Sequence, residues 1–345
     1  MDAYVDALCR EIAQRHPAGA LRTVYFGGGT PSLLSPDQLH RIVDAIRAHC
    51  DVSQLEEVTL EANPENLSRD YLEMLASEGF VNRLSIGVQS FHDDELRLLN
   101  RVHSCRQAMD AVAFAAEAGF RNVSVDLIMG LPGQTVARWD DNLHRLETLL
   151  PLEAVKHLSC YELTLEPGSI LEQQLQMGRV QMADESVLAA QYDALQRWCE
   201  RFGFQQYEVS NYCLPGYHSR HNSRYWDRTP YVGVGAGAHS FDGNCRRWNL
   251  TDIAAYVAGA AEGEVPHDEE RLSPKDAFNE YLMTALRTRR GVQKALVDVP
   301  FRGYLSEQMA RFVQAGLMEE TDTAYRPTDK GLLQADGIAA DLFML

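Results

Sequence analysis

A strand-like run, a turn and an amphipathic helix follow one another again and again through the first half of this 345-residue chain, and no other feature limits its possible folds as much. The β-branched or aromatic runs are Leu21 to Phe26, Glu57 to Glu61, Arg83 to Val88, Val123 to Met129 and Ala154 to Tyr161. Between them, Leu39, Ile42, Val43 and Ile46 form one helical stripe, and Cys105, Ala108, Met109 and Val112 form another. Gly79 and Gly119 stand just before the next strands, where left-handed helix ends are expected. Such alternation predicts a parallel sheet with right-handed crossovers, either doubly wound or a barrel.

The strand faces choose between these. A parallel strand covered by helices on both faces reads as continuously apolar. Here the alternation sets Thr59 and Glu61 against Val58 and Leu60, Ser85 and Gln89 against Leu84, Ile86 and Val88, and Ser124 and Asp126 against Val123, Val125 and Leu127. Three successive strands thus give one apolar face to the helices and a polar face to a common interior. The expected fold class is α/β, an incomplete parallel β/α barrel with a polar, ligand-filled interior; the alternative is a sheet face open to solvent. The barrel is expected over residues 1–165. A connecting α+β region is expected over 166–265, with a long helix from Ala183 to Phe202 striped by Leu188, Tyr192, Leu195, Cys199 and Phe202. A small helical or winged-helix module over 266–345 completes the expected chain.

Composition narrows the function classes. Lys and Arg total 32 against 49 Asp and Glu, so a net charge of −17 provides no field for holding a polyanion, and nucleic acid is not an expected partner. No window approaches the uninterrupted apolar length of a membrane span, so a cytoplasmic protein with at most peripheral membrane contact is expected. Seven scattered cysteines (Cys9, Cys50, Cys105, Cys160, Cys199, Cys213 and Cys245) predict reduced thiols, and none has the close spacing of a zinc or iron–sulfur loop.

The chemistry-bearing residues fall at strand ends. Gly27, Gly28, Gly29, Thr30 and Pro31 follow the first strand; the glycines admit close approach of a ligand and the Thr30 hydroxyl donates or accepts at its mouth, though a plain tight turn also fits. The sequence lacks the lysine of a phosphate loop and the spacing of a dinucleotide loop. Glu61, Gln89 and Asp126 lie at or near the ends of successive strands on the polar face, where open parallel sheets and barrels bind ligands. Asp126, mid-strand among apolar neighbours, demands a partner. Farther along, HNSRYW (His221 to Trp226) brings together imidazole, flat aromatic area and nearby arginines, with His218 and His239 close in sequence. Residue types alone allow either a heme site or ordinary loop packing there.

Taken in order, GGGTP, LEANPENL, IGVQSF, LLNRVH and VDLIMGLPGQT resemble the radical S-adenosylmethionine (SAM) enzymes related to oxygen-independent coproporphyrinogen III oxidase. With HNSRYW and YVGVGAGAHS the likeness covers nearly the whole chain and is greatest to a shorter branch whose members are heme chaperones. The resemblance implies that Gly28, Gly29 and Thr30 contact the amino-acid end of SAM. It implies that Glu61 accepts from the SAM ammonium and that Gln89, Arg101 and Asp126 hold its ribose, sulfonium or carboxylate region. Two carboxylates and a guanidinium suit such a zwitterionic sulfonium ligand. The resemblance also implies heme at His221, Asn222, Tyr225 and Trp226 and delivery to an acceptor protein, possibly respiratory. The net charge of −17 opposes the anionic propionates at long range, so Arg220, Arg224 and Arg228 are the local groups to complement them, a plain solvated loop being the alternative reading of these three. Porphyrinogen oxidation and a non-catalytic adaptor are the alternative functions. Family members hold a [4Fe–4S] cluster in a C-x3-C-x2-C loop after the first barrel strand; this chain has neither that loop nor that strand, and a shortened or misplaced N-terminus is the expected reason, a variant that lost the redox part being the alternative.

Overall fold

A computed structural model describes residues 1–344. Five parallel strands, β1 (Thr23–Phe26), β2 (Glu57–Ala62), β3 (Arg83–Gln89), β4 (Val123–Met129) and β5 (Val155–Glu162), pair in chain order. Two short strands, β6 (Gln205–Gln206) and β7 (Asn211–Cys213), extend the sheet beyond β5 in antiparallel fashion, so β1 and β6 are its edges. All five strand-like runs of the sequence are therefore strands, with ends shifted by at most two residues and Val123 to Met129 unchanged.

Helix α1 (Asp2–Gln14) precedes β1, and α2 (Pro36–His49), α3 (Arg69–Glu78), α4 (Asp93–Leu98), α5 (Cys105–Glu117) and α6 (Val136–Glu147) cross between the strands. Local chemistry fixes their ends. Ser35 with Gln38 and Ser104 with Gln107 form reciprocal capping boxes at α2 and α5, and Gly79 ends α3 at φ +64°. The stripe Leu39, Ile42, Val43 and Ile46 is buried against the outer sheet face, whose Val58, Leu60, Leu84, Ile86, Val88, Val123, Val125 and Leu127 are all buried with it. Burial of this two-layer face supplies most of the driving force for the half-chain.

After β5 come α7 (Ile170–Gln176) and α8 (Glu185–Phe202), then α9 (Arg220–Trp226), which is the HNSRYW segment with Arg220 before it. A hairpin-rich sheet of β8 (His239–Phe241), β9 (Cys245–Asn249) and β10 (His267–Arg271) surrounds α10 (Ile253–Glu262) in sequence. Glu11 of α1 is fully buried and fastens this region to the first helix. Its carboxylate accepts from Gly235 N (2.9 Å), Asn249 Nδ2 (2.8 Å), Tyr256 Oη (2.7 Å) and Arg15 Nη1 (2.7 Å). The YVGVGAGAHS loop is thus held by a satisfied buried charge.

The chain ends in a small C-terminal domain. Its helices α11 (Pro274–Ala285), α12 (Val299–Gln314), α13 (Asp329–Leu333) and α14 (Ala335–Leu342) accompany a three-stranded antiparallel sheet of β11 (Val292–Gln293), β12 (Met318–Glu320) and β13 (Ala324–Pro327). Phe278, Leu282, Leu286, Leu305, Met309, Ile338 and Leu342 form its separate apolar core. It is stitched to the main sheet through backbone bonds, Val209 N to Arg287 O (2.9 Å) and Arg289 N to Tyr207 O (3.1 Å). No helix among the described residues is long and apolar enough to cross a membrane.

Candidate functional site

The polar face of the sheet carries buried Glu57, Thr59, Arg83, Ser85, Ser124, His157 and Ser159 and the half-buried Glu61, Gln89 and Asp126. Period-2 alternation of β2, β3 and β4 produces this grouping directly. At the C-terminal end of β1 the glycine turn is shaped by one close approach. A Cβ on Gly27 would lie 2.5 Å from the Tyr25 ring and 3.0 Å from Glu61 Oε2, so only glycine fits there. Gly28, at φ +94°, and Gly29 are exposed with open space about them. Glu61 accepts from Tyr25 Oη (2.6 Å) and from Gly28 N (3.2 Å), which ties the turn to the end of β2 and leaves lone pairs for an ammonium group. Desolvation together with the Glu61 charge holds the Tyr25 phenol far above its usual range, so it donates at every physiological pH.

Gln89 ends β3 at φ +65°, where the register with β4 shifts, and this bulge re-aims its side chain. Arg101, just after α4, donates Nη1 to Asn63 Oδ1 (3.2 Å), and the site of a Cβ on Gly87 lies within van der Waals reach of the same Asn63 oxygen and 2.8 Å from Gln89 Nε2. Arg101 is thus bonded to Asn63, with the Gln89 amide nearby across Gly87; Asn63 lies in the LEANPENL segment without being among the residues singled out from the sequence. Asp126 finds the partners it needs in Ser85 Oγ (3.0 Å to Oδ2) and Ser124 Oγ (3.0 Å to Oδ1); burial pushes its carboxyl upward against these hydrogen bonds.

Helix α9 lies against β1. Glu57, the first residue of β2, accepts from Arg220 N (2.8 Å) and His221 N (2.9 Å), satisfying donors at the helix start with a charge of the favourable sign. The His221 ring stacks on Tyr25 (centroids 4.9 Å apart, 24° between planes). Its Nδ1 is 2.8 Å from Thr23 Oγ1 and its Nε2 is 3.0 Å from Tyr225 Oη. Burial lowers its pKa to about 4, which keeps the imidazole neutral near pH 7. Tyr225 is exposed and stands edge-on to Tyr231; Asn222 and Trp226 are half-buried. Of the three nearby arginines, Arg220 is ion-paired with Glu56 and Arg228 contacts Ala277 O and Glu280, while Arg224 Nε is buried without a partner. His218 packs edge-on to Tyr207 and His239 stacks on Trp248, each with a partner outside α9.

Glu57, Tyr25 and Thr23 were missed in the sequence. Glu57 shares the face of Thr59 and Glu61, so the same alternation count extended by one step finds it; Tyr25 and Thr23 are polar residues in a strand whose partner helix comes nearly two hundred positions later.

Comparison with known proteins fits this arrangement. The Radical SAM superfamily model matches residues 4–146, and the HemN C-terminal domain model matches residues 272–333. The chain superimposes on coproporphyrinogen III oxidase (HemN) from Escherichia coli, a radical SAM enzyme, with a TM-score of 0.82, over 99% of this chain and 83% of that one, at 23% identity. The fold class is thus mixed α/β of the radical SAM type with a small HemN-like C-terminal domain. More narrowly, the chain is 36% identical to the heme chaperone HemW of Lactococcus lactis over 96% of its length and 86% of that protein. It is 34% identical to the heme chaperone HemW of Bacillus subtilis over 96% and 89%. It belongs to the HemW family of heme chaperones.

Proposed function

We propose that this chain binds heme at α9 and hands it to an acceptor protein, with SAM held at the C-terminal ends of the parallel strands. The observation that carries the heme reading is the setting of His221. If its Nδ1 hydrogen is given to Thr23, Nε2 is left as the basic nitrogen, and it then accepts from the exposed Tyr225 hydroxyl. That is the tautomer an iron ligand needs, and exchanging one exposed hydroxyl for a metal requires no change in the buried partner. Asn222, Tyr225 and Trp226 supply polar contact and flat area beside it. Bound heme brings an iron centre that accepts imidazole; Thr23 and Glu57 orient the ring and its helix for that contact.

At the strand ends, Glu61 takes the SAM ammonium, Gly28, Gly29 and Thr30 border its amino-acid end, and Gln89, Arg101 and Asp126 hold the ribose, sulfonium or carboxylate region. The open space over Gly28 and Gly29 and the unused lone pairs of Glu61 support this seat. The fit does not extend to the [4Fe–4S] cluster of the superfamily: among the described residues no three His, Cys, Asp or Glu side chains are grouped to hold a metal. The parallel strands are read as the wall of an incomplete barrel over residues 1–165, joined by 166–265 to a C-terminal unit at 266–345. A cytoplasmic setting is proposed, with acceptors that include membrane-bound respiratory proteins.

A heme titration followed at the Soret band tests the reading. The chain is expected to bind, and His221→Ala to weaken binding by about tenfold or more with a changed spectrum. Equal affinity and an identical spectrum in the variant would remove His221 from the site. Porphyrinogen turnover under anaerobic reducing conditions would favour an oxidase instead, and neither binding nor turnover would leave the adaptor.

A further inference from the structure

An unbroken line of hydrogen bonds crosses the polar face from Asp126 to the start of α9. Ser124 Oγ lies 3.0 Å from Asp126 Oδ1 and 2.8 Å from His157 Nδ1. His157 Nε2 lies 2.8 Å from Tyr207 Oη, which also accepts from Ser219 N at 3.3 Å. Ser124, His157 and Ser219 are 0% exposed, and Ser219 is the N-cap of α9. The line thus joins a carboxylate of the strand face to the helix that carries His221. Ser159 Oγ, 3.3 Å from Ser124 Oγ, is its one side branch.

Donor chemistry gives the line a direction. The Ser219 amide can only donate, so Tyr207 accepts from it and passes its own hydrogen to His157 Nε2. Burial, with Arg83 and His218 nearby, keeps His157 neutral, so its hydrogen is on Nδ1 and goes to Ser124, whose hydroxyl ends on Asp126. Each intermediate group then donates once and accepts once, and each bond polarises the next. The reverse direction needs a protonated Asp126 and puts the His157 hydrogen on Nε2. Tyr207 then receives two hydrogens, and its own hydroxyl has no other partner among the described residues. The ionised carboxylate therefore selects the direction in which the α9 cap is fully paired.

We propose that this line couples the two ligand seats: SAM at Asp126 tightens the hold of α9 on heme, and heme tightens the hold on SAM, with His157 and Tyr207 as positioning residues. The inference rests on the seats proposed above. The sulfonium of SAM is a positive charge, which favours the ionised carboxylate and the direction it selects. Asp126 can serve both, because Ser124 and Ser85 occupy only part of the lone-pair capacity of Oδ1 and Oδ2. Reciprocity between the ligands follows from linkage.

The test is heme titration of the full chain at the Soret band, without SAM and with SAM at saturation. SAM is expected to tighten heme binding about fivefold or more in the parent chain. The ratio of the two affinities is expected to fall to one in Tyr207→Phe, which keeps the ring and removes the hydroxyl. A merely structural role weakens heme binding equally in both titrations and leaves that ratio unchanged. Ser124→Ala breaks the line at a second point and is expected to give the same loss should Tyr207→Phe not fold. Without ligands, Asp126→Asn is expected to speed amide exchange at Ser219, which Asp126 does not touch, about fivefold relative to the other amides of the sheet. Both ligands bound at a ratio of one in the parent, a raised ratio that survives in either folded variant, or an unchanged Ser219 amide would each overturn the coupling and leave the two seats standing. Failure of the parent to bind SAM or heme would overturn those seats and the coupling with them.

Discussion

Gly27 shows how one residue sets the geometry of a ligand loop. Adding a methyl group there drives it into the Tyr25 ring at 2.5 Å, and that ring is held by its hydrogen bond to Glu61 and its stacking on His221. Gly27→Ala is expected to lose about 1–3 kcal/mol of stability in urea unfolding, as overpacking does in a close-fitted site. Glu61 and Asp126 are charged ends for the proposed zwitterionic ligand. Glu61→Ala or Asp126→Ala should weaken SAM binding by roughly 1–3 kcal/mol in calorimetry, through loss of one charge-assisted hydrogen bond. Unchanged affinity in both would move the SAM seat elsewhere.

At the scale of elements, α9 is a seven-residue helix, too short to be stable alone. It persists because Glu57 and Ser219 cap its N-terminus, Ser219 Oγ accepting from Asn222 N at 3.2 Å, and because His221 packs on β1. Glu57→Ala removes the acceptor for two backbone donors, so it is expected to cost about 1–2 kcal/mol and to speed amide exchange at Arg220 and His221. If heme binds through His221, the same substitution weakens binding without touching the ligand. Exchange unchanged at those two amides would show that packing alone holds α9.

For the whole molecule, the join between the sheet and the C-terminal domain contains a buried acid. Glu208, 1% exposed, pairs across to Thr288 and accepts from Ser210 N (3.2 Å), and burial raises its pKa to about 7 against an ordinary 4.5. The folded state therefore binds more protons than the unfolded state between these values. Stability attributable to this group is full below pH 4.5 and declines as pH rises through 7. Glu208→Gln is expected to melt higher than the parent at pH 8, by the equivalent of up to about 3 kcal/mol, and to differ little at about pH 4.5. A pH-independent difference in Tm would refute the burial argument. His221, displaced the opposite way to about 4 from 6.5, contributes stability that is present above pH 6.5 and lost as pH falls toward 4.

The sequence by itself determined the order of strands and helices, the apolar stripes and the polar strand face, because each depends on periodicity within one element and each is satisfied by local hydrogen bonds and a single buried side. It also singled out Glu61, Gln89, Asp126 and the HNSRYW segment as candidates. Tertiary structure alone decided how these meet. That Thr23 and Tyr25 would hold an imidazole nearly two hundred residues away and that Glu57 would cap the helix carrying it are consequences of chain crossing. A period-2 count says which way a side chain points. What it meets there depends on which distant segment packs against that face, and a buried charge takes its energy from those neighbours rather than from its own strand.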